Sequence, residues 1–150
     1  MDISAKNILL IEDNDVDIIS VKNIIEKQNI NLTIINDGAN AFDFIVCKIE
    51  KMQEYWPSLI LLDYNLPLKN GDLILRYLKE KPRIKNIPVV VISYSKLDKH
   101  ILKSYRFHAN SYIIKDMDVD VFDKKLSKTI EYWLDIVELP KPNYQNRMIT

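Results

Sequence analysis

Glycine is nearly missing from this chain: its 150 residues include two, Gly38 and Gly71. That scarcity argues against any fold that cradles a phosphate in a glycine-rich loop. Cysteine is scarcer still. The single Cys47 cannot close a disulfide within the chain, which points to a reducing compartment and a cytoplasmic protein. Its position in a helical stretch reads as ordinary packing. The formal net charge is zero, so no basic face is offered to nucleic acid. No apolar run approaches the roughly 18 residues a membrane span requires. The start, Met1-Asp2-Ile3-Ser4, lacks the basic segment and apolar stretch of a signal peptide.

What is present is the composition of a soluble globular protein, with 47% hydrophobic and 28% charged residues. The length allows one domain with a sizeable core. Residues 1–139 read as that domain, and 140–150, with two prolines and polar residues, as an extended or mobile tail.

Apolar runs at Ile8–Ile11, Leu32–Ile35, Leu59–Leu62 and Val89–Ile92 predict strands, with a weaker fifth at Tyr112–Ile114. Stretches with helical spacing lie between them. Ile18, Val21, Ile24 and Ile25 follow Asp15 and Asp17, either of which is placed to cap that helix. Ala41, Phe42, Ile45, Val46 and Ile49 form a second face, and Lys48–Trp56 reads as an extra helical turn before the third strand. Leu73, Ile74, Tyr77 and Leu78 form a third face, ended by Lys81-Pro82. Ile101, Leu102 and Tyr105 suggest a fourth. Val121, Phe122, Leu126, Ile130, Trp133, Leu134 and Val137 form the last, predicted to run from Val119 to Glu138. This alternation predicts an α/β fold: a flavodoxin-like, doubly wound, five-stranded parallel sheet of order 2-1-3-4-5. In that order strands one and three are neighbours. The residues after Ile11 and after Leu62 then meet at one crevice.

Most strands deliver a chemically useful residue there: Glu12-Asp13 after the first, Asp63 after the third, Ser93 after the fourth and Lys115 after the fifth. Each has a plainer reading. Asp63 precedes Tyr64-Asn65-Leu66-Pro67 and is a good turn former. Glu12-Asp13 suits a solvated loop, Ser93 a helix cap and Lys115 the surface. Their joint occurrence at successive strand ends favours chemistry. Three converging carboxylates repel one another unless a cation sits among them. Oxygen ligands with no His or Cys nearby point to Mg2+. Lys115 can pair with Asp63 or a phosphoryl oxygen, and Ser93 offers a hydroxyl. These are the parts that phosphoryl transfer requires.

Residues Lys6 to Val137 resemble the receiver domain of two-component response regulators. The resemblance rests on Leu9-Leu10-Ile11-Glu12-Asp13-Asn14, on Asp63-Tyr64-Asn65-Leu66-Pro67 with Gly71 eight residues after the aspartate, on Val89-Val90-Val91-Ile92-Ser93, and on Tyr112-Ile113-Ile114-Lys115. Two further segments, Asp98–Tyr105 with His108–Tyr112 and Ile130–Pro140, are similar to the stand-alone regulators paired with phytochrome-type histidine kinases. The resemblance implies that Asp63 accepts a phosphoryl group from a sensor histidine kinase. It implies Mg2+ held by Asp13, Asp63 and the backbone carbonyl of Asn65, with Glu12 acting through water. Lys115 would contact the acylphosphate, Ser93 would move toward it, and Tyr112 would turn inward. The modified surface would be read by a downstream protein, and the narrower likeness implies a homodimer through the C-terminal helix. No enzymatic activity beyond Mg2+-dependent self-phosphorylation and dephosphorylation is implied. A receiver-like docking or dimerisation module that has lost phosphorylation is the alternative. An aspartyl phosphatase would want a second carboxylate where Asn65 stands. A flavodoxin would want a phosphate loop where Glu12-Asp13-Asn14-Asp15 stands.

The chain departs from the family pattern at three places. Asp116, not proline, follows Lys115. A cis peptide without proline costs about 2.5–4 kcal/mol, so a trans bond is expected, with the lysine somewhat displaced and an added negative charge weakening phosphoryl binding. His108 stands where glycine is common and reads as a loop residue packing near the fifth strand. Tyr94 follows Ser93, where a small residue is usual, and its ring is placed to shield an acylphosphate from water or to restrict small phosphodonors. Tyr94→Ala is therefore expected to shorten the phosphorylated lifetime, read by the decay of phosphoprotein after donor removal. An unchanged lifetime would contradict this role.

Overall fold

The computed structural model describes residues 5–141. Alternating strands and helices form β1 (Lys6–Ile11), α1 (Asp15–Ile25), β2 (Ile30–Ile35), α2 (Gly38–Phe44), β3 (Leu59–Asp63), α3 (Gly71–Glu80), β4 (Val89–Ser93), α4 (Asp98–Arg106), β5 (Ser111–Ile114) and α5 (Val119–Glu131). Helix α2 continues in wide π-helical turns over Ile45–Lys51, and α5 does so over Tyr132–Ile136. The strands are all parallel, in the order β2-β1-β3-β4-β5. The expected fold and strand order are thus observed. The part of the expected tail at 142–150 lies outside the described residues.

Strand alternation divides the core in two. Leu9, Ile11, Ile60, Leu62, Val89 and Val91 face α2 and α3. Ile8, Leu10, Leu59, Leu61, Val90 and Ile92 face α1 and α5, where Val21, Ile25, Phe122, Leu126, Ile130 and Leu134 complete the packing. Central β3 and β4 are buried at every residue. That is why their sequences read as unbroken apolar runs and not as alternation.

Several expectations are corrected. Asn14, not Asp15 or Asp17, caps α1: its side chain accepts from the Val16 and Asp17 N–H groups. Of the segment Lys48–Trp56, only Lys48–Lys51 is helical. Cys47 is exposed on that π-helical stretch and not packed. In α3, Leu75 takes the core position and Leu73 is 48% exposed, because Ile74, Leu75 and Leu78 face the sheet. In α4, Leu102 and Tyr105 are half-exposed, and the buried residue is Ser104, whose hydroxyl donates to the His100 carbonyl. The last helical stretch ends at Ile136, not Glu138. His108 is exposed at the end of α4, with φ 69°, a conformation usually left to glycine. The trans bond expected at Lys115–Asp116, by contrast, is observed, and no described peptide bond is cis.

The two glycines share one task. Each opens a helix and touches the loop that follows β3. The Gly38 N–H donates to the Pro67 carbonyl at 2.9 Å, and a Cβ there would land on the Lys69 carbonyl. A Cβ on Gly71 would lie 2.9 Å from the Tyr64 carbonyl oxygen. Neither has positive φ, so the requirement is close approach and not a left-handed backbone. A helix glycine replaced by alanine ordinarily gains up to about 1 kcal/mol. Gly38→Ala is expected instead to lose about 1–3 kcal/mol through overpacking, read as a lower urea midpoint. A raised midpoint would show that the loop yields freely.

Candidate functional site

The strand register assembles the site. Ile11 lies opposite Leu62 and Asp63 opposite Ile92, so Glu12 and Asp63 emerge side by side. Ser93 lies opposite Ile114, and the Lys115 N–H donates to the Ser93 carbonyl at 2.8 Å. Glu12, Asp63, Ser93 and Lys115 are all buried at this edge, while Asp13 is exposed. Ligand oxygens of Glu12, Asp13 and Asp63 lie within 4.8 Å of one another.

Lys115 sits at the centre of the polar network. Its Nζ donates to Glu12 Oε2 at 2.9 Å and to Asp17 Oδ2 at 2.8 Å, and stands 3.6 Å from Asp63 Oδ1. The expected pairing of Lys115 with Asp63 is present as an ion pair at 3.6 Å, while its hydrogen bonds go to Glu12 and Asp17. The lysine is not displaced from the crevice by the following Asp116, whose carboxylate instead accepts from the Asp118 N–H at 2.8 Å. Glu12 is fixed through its other oxygen by the Asn14 N–H at 3.1 Å. Asp63 Oδ1 accepts from the Asn65 N–H at 3.3 Å, and Asn65 is exposed on the loop.

Burial, then the charge of Asp63 beside it, pushes the Glu12 carboxyl up to about 8. Burial also raises Asp63, against the opposing pull of its hydrogen bond to Glu12 and the charge of Lys115. The Lys115 ammonium is held above the usual lysine range by Asp17, Glu12 and Asp63, which together outweigh its own burial. One lysine thus faces three buried carboxyls, with Asp13 at the rim. The donor set is all oxygen and carries more negative charge than Lys115 balances. These residues suit a hard dication such as Mg2+.

Ser93 Oγ accepts from the Ser95 N–H at 3.1 Å, and the Ser95 carbonyl accepts from the Tyr112 hydroxyl at 2.9 Å. Ser95 Oγ lies 2.6 Å from His100 Nδ1. Tyr94 is 47% exposed, with its ring centroid 5.3 Å from the Lys115 ammonium. Sequence reasoning missed Asp17 and Ser95. Asp17 lies in the first turn of α1, where an acid has an ordinary explanation, so spacing does not mark it. Nothing in sequence spacing marks Ser95.

Comparison with known proteins gives a consistent result. The family model for the response regulator receiver domain matches residues 8–127. Response regulator Rcp1 of Synechocystis sp. is 36% identical over 137 residues, covering 90% of this chain and 93% of Rcp1. The crystal structure of the phosphorylated cyanobacterial phytochrome response regulator RcpA superposes with a TM-score of 0.85 at 34% identity, covering 91% of this chain and 99% of that one. The Mn2+-bound form of Rcp1 gives 0.84 at 35% identity, with the same coverage.

The raised carboxyls predict a pH dependence. A group whose pKa is higher folded than unfolded favours the folded state at low pH and loses that advantage as pH rises to the folded value. For Glu12 the window runs from 4.5 to about 8. Metal-free protein is expected to lose stability across it, by at most about 1.4 kcal/mol per pH unit for one group. Glu12→Gln should flatten the profile of thermal midpoint against pH. An equally steep profile in the variant would place the effect elsewhere.

Proposed function

The chain belongs to the response regulator receiver domain family, and from that premise we propose that Asp63 accepts a phosphoryl group from a phosphohistidine on a sensor kinase. The observation that carries this is the placement of Asp63 at the rim of β3, among the oxygens of Glu12 and Asp13 and 3.6 Å from the Lys115 ammonium. The P–N bond of the donor breaks as an Asp63 oxygen bonds to phosphorus. Mg2+, held by Asp13, Asp63 and the Asn65 carbonyl with Glu12 acting through water, would neutralise charge on the transferring oxygens. Lys115 supplies a cation to the new dianionic group, and the Ser93 hydroxyl donates to one of its oxygens.

The switch follows from the bonds already present. When the Ser93 hydroxyl turns to the phosphoryl group, the Ser95 N–H loses its acceptor, and the Ser95 carbonyl is what holds the Tyr112 hydroxyl. Phosphorylation would thereby let Tyr112 turn inward and alter the α4–β5–α5 surface that a downstream protein reads. The likeness to Rcp1 and RcpA supports a phytochrome-type histidine kinase as the partner. We read residues 1–139 as a single receiver domain working in the cytoplasm. No described helix is long and apolar enough to cross a membrane. Tyr132 and Ile136, 48% and 64% exposed near the end of the last helical stretch, support a homodimer through that region. The engagement of Lys115 with Asp17 favours one other reading, a docking module that no longer takes up phosphate.

Incubation with Mg2+ and acetyl phosphate or a cognate kinase is expected to add one phosphoryl group by intact mass, and none to Asp63→Asn. No adduct from either donor would favour the docking module. Light scattering of both states reads the dimer, and a monomer in each at high micromolar concentration would contradict it.

A further inference from the structure

Asp17 is the one member of the cluster to which phosphoryl transfer gives no work. It lies in the first turn of α1, 4% exposed, and is positioned by Asn14, whose side chain accepts from the Asp17 N–H at 3.1 Å. Among the described residues its ion-pair partner is Lys115, at 2.8 Å. That bond is shorter than the Lys115–Asp63 separation of 3.6 Å, which is beyond hydrogen-bond range.

We propose that Asp17 is a positioning residue that holds the Lys115 ammonium off Asp63 in the unmodified protein and competes with an incoming phosphoryl group for it. This rests on Asp63 being the phosphoacceptor. The ammonium has three donors, of which Glu12 and Asp17 take two. To meet a phosphoryl oxygen on Asp63, Nζ must close part of the gap, and the Asp17 bond stretches as it does. Asp17 is buried, so water cannot replace the lost cation, and a buried carboxylate stripped of its partner is strongly unfavourable. That penalty falls on the phosphorylated state alone. Asp17 therefore lowers the affinity of the site for a phosphoryl group and keeps the resting form populated until a good donor arrives. Asp15, two residues earlier at the start of α1 and exposed, carries the same charge without the contact and separates this role from a general charge effect.

The test is calorimetric titration of the full chain, with saturating Mg2+, by beryllofluoride, which stands in for the phosphoryl group on Asp63. Asp17→Asn is expected to bind it about tenfold more tightly, or about 1.4 kcal/mol. Asp15→Asn should change affinity by no more than about twofold, as an exposed charge does. Asp17→Glu, which restores a carboxylate, should return affinity toward wild type. Unchanged or weaker binding by Asp17→Asn, or an equal gain in Asp15→Asn, overturns the proposal. A wild type that takes up neither beryllofluoride nor phosphoryl overturns the phosphoacceptor reading itself. Should Asp17→Asn not fold, the wild-type complex decides by crystallography. Lys115 Nζ touching fluoride with the Asp17 bond broken supports the proposal, and both contacts held together defeat it.

Discussion

One ammonium group holds the carboxyl edge of this protein together. Lys115 reaches from the end of β5 across β4 and β3 to Glu12 at the end of β1 and Asp17 in α1. It joins the first and last segments of the sheet's working edge, and it is buried. Without it, Glu12, Asp17 and Asp63 would be three carboxyls in a desolvated crevice with no buried cation among them. Even with it, the charge does not balance. Burial first, and for Glu12 the neighbouring Asp63 charge after it, raises the pKa values of Glu12 and Asp63. A site left short of positive charge is disposed to take up a cation, which the proposed phosphoryl transfer would need.

The fold delivers these groups to one edge of the sheet. Parallel pairing sets Glu12 level with Asp63, and Ser93 and Lys115 follow one and two residues further along, so the four enter a common crevice. The loop after Asp63 is pinned from both sides by the two glycines, Gly38 through the Pro67 carbonyl and Gly71 against Tyr64. Where a chain uses so little glycine, both residues standing against the loop after Asp63 indicates how closely that loop must approach its supporting helices. The same loop presents Asn65, whose N–H orients the Asp63 carboxylate.

Asp63, Glu12, Ser93 and Lys115 were legible because buried strands write themselves as apolar runs and the edge follows from where each run stops. Topology then made neighbours of residues far apart in sequence. Asp17 was not legible, because an acid in the first turn of a helix also complements the dipole and so has an ordinary explanation. Only the three-dimensional approach of β5 to α1 reveals its partner. Helix faces were read less well than strands. Leu73 and Leu75 both lie in a helical pattern, and contact with the sheet selects Leu75. In α4 the pattern was followed, but the face it marked is largely exposed, with Leu102 and Tyr105 turned outward. An apolar stripe on a helix announces a partner without saying whether that partner is the core. Ser95, the link between Ser93 and Tyr112, depends on loop geometry that spacing does not encode.

If crowded carboxyls short of positive charge are what create the metal site, then a proton retained at Glu12 must leave when a dication arrives. Calorimetric titration with Mg2+ near pH 6.5, in buffers of different ionisation enthalpy, counts that proton. The account predicts release approaching one proton per Mg2+ bound, falling toward zero as the pH is raised past about 8. Binding with no proton released at any pH would contradict it.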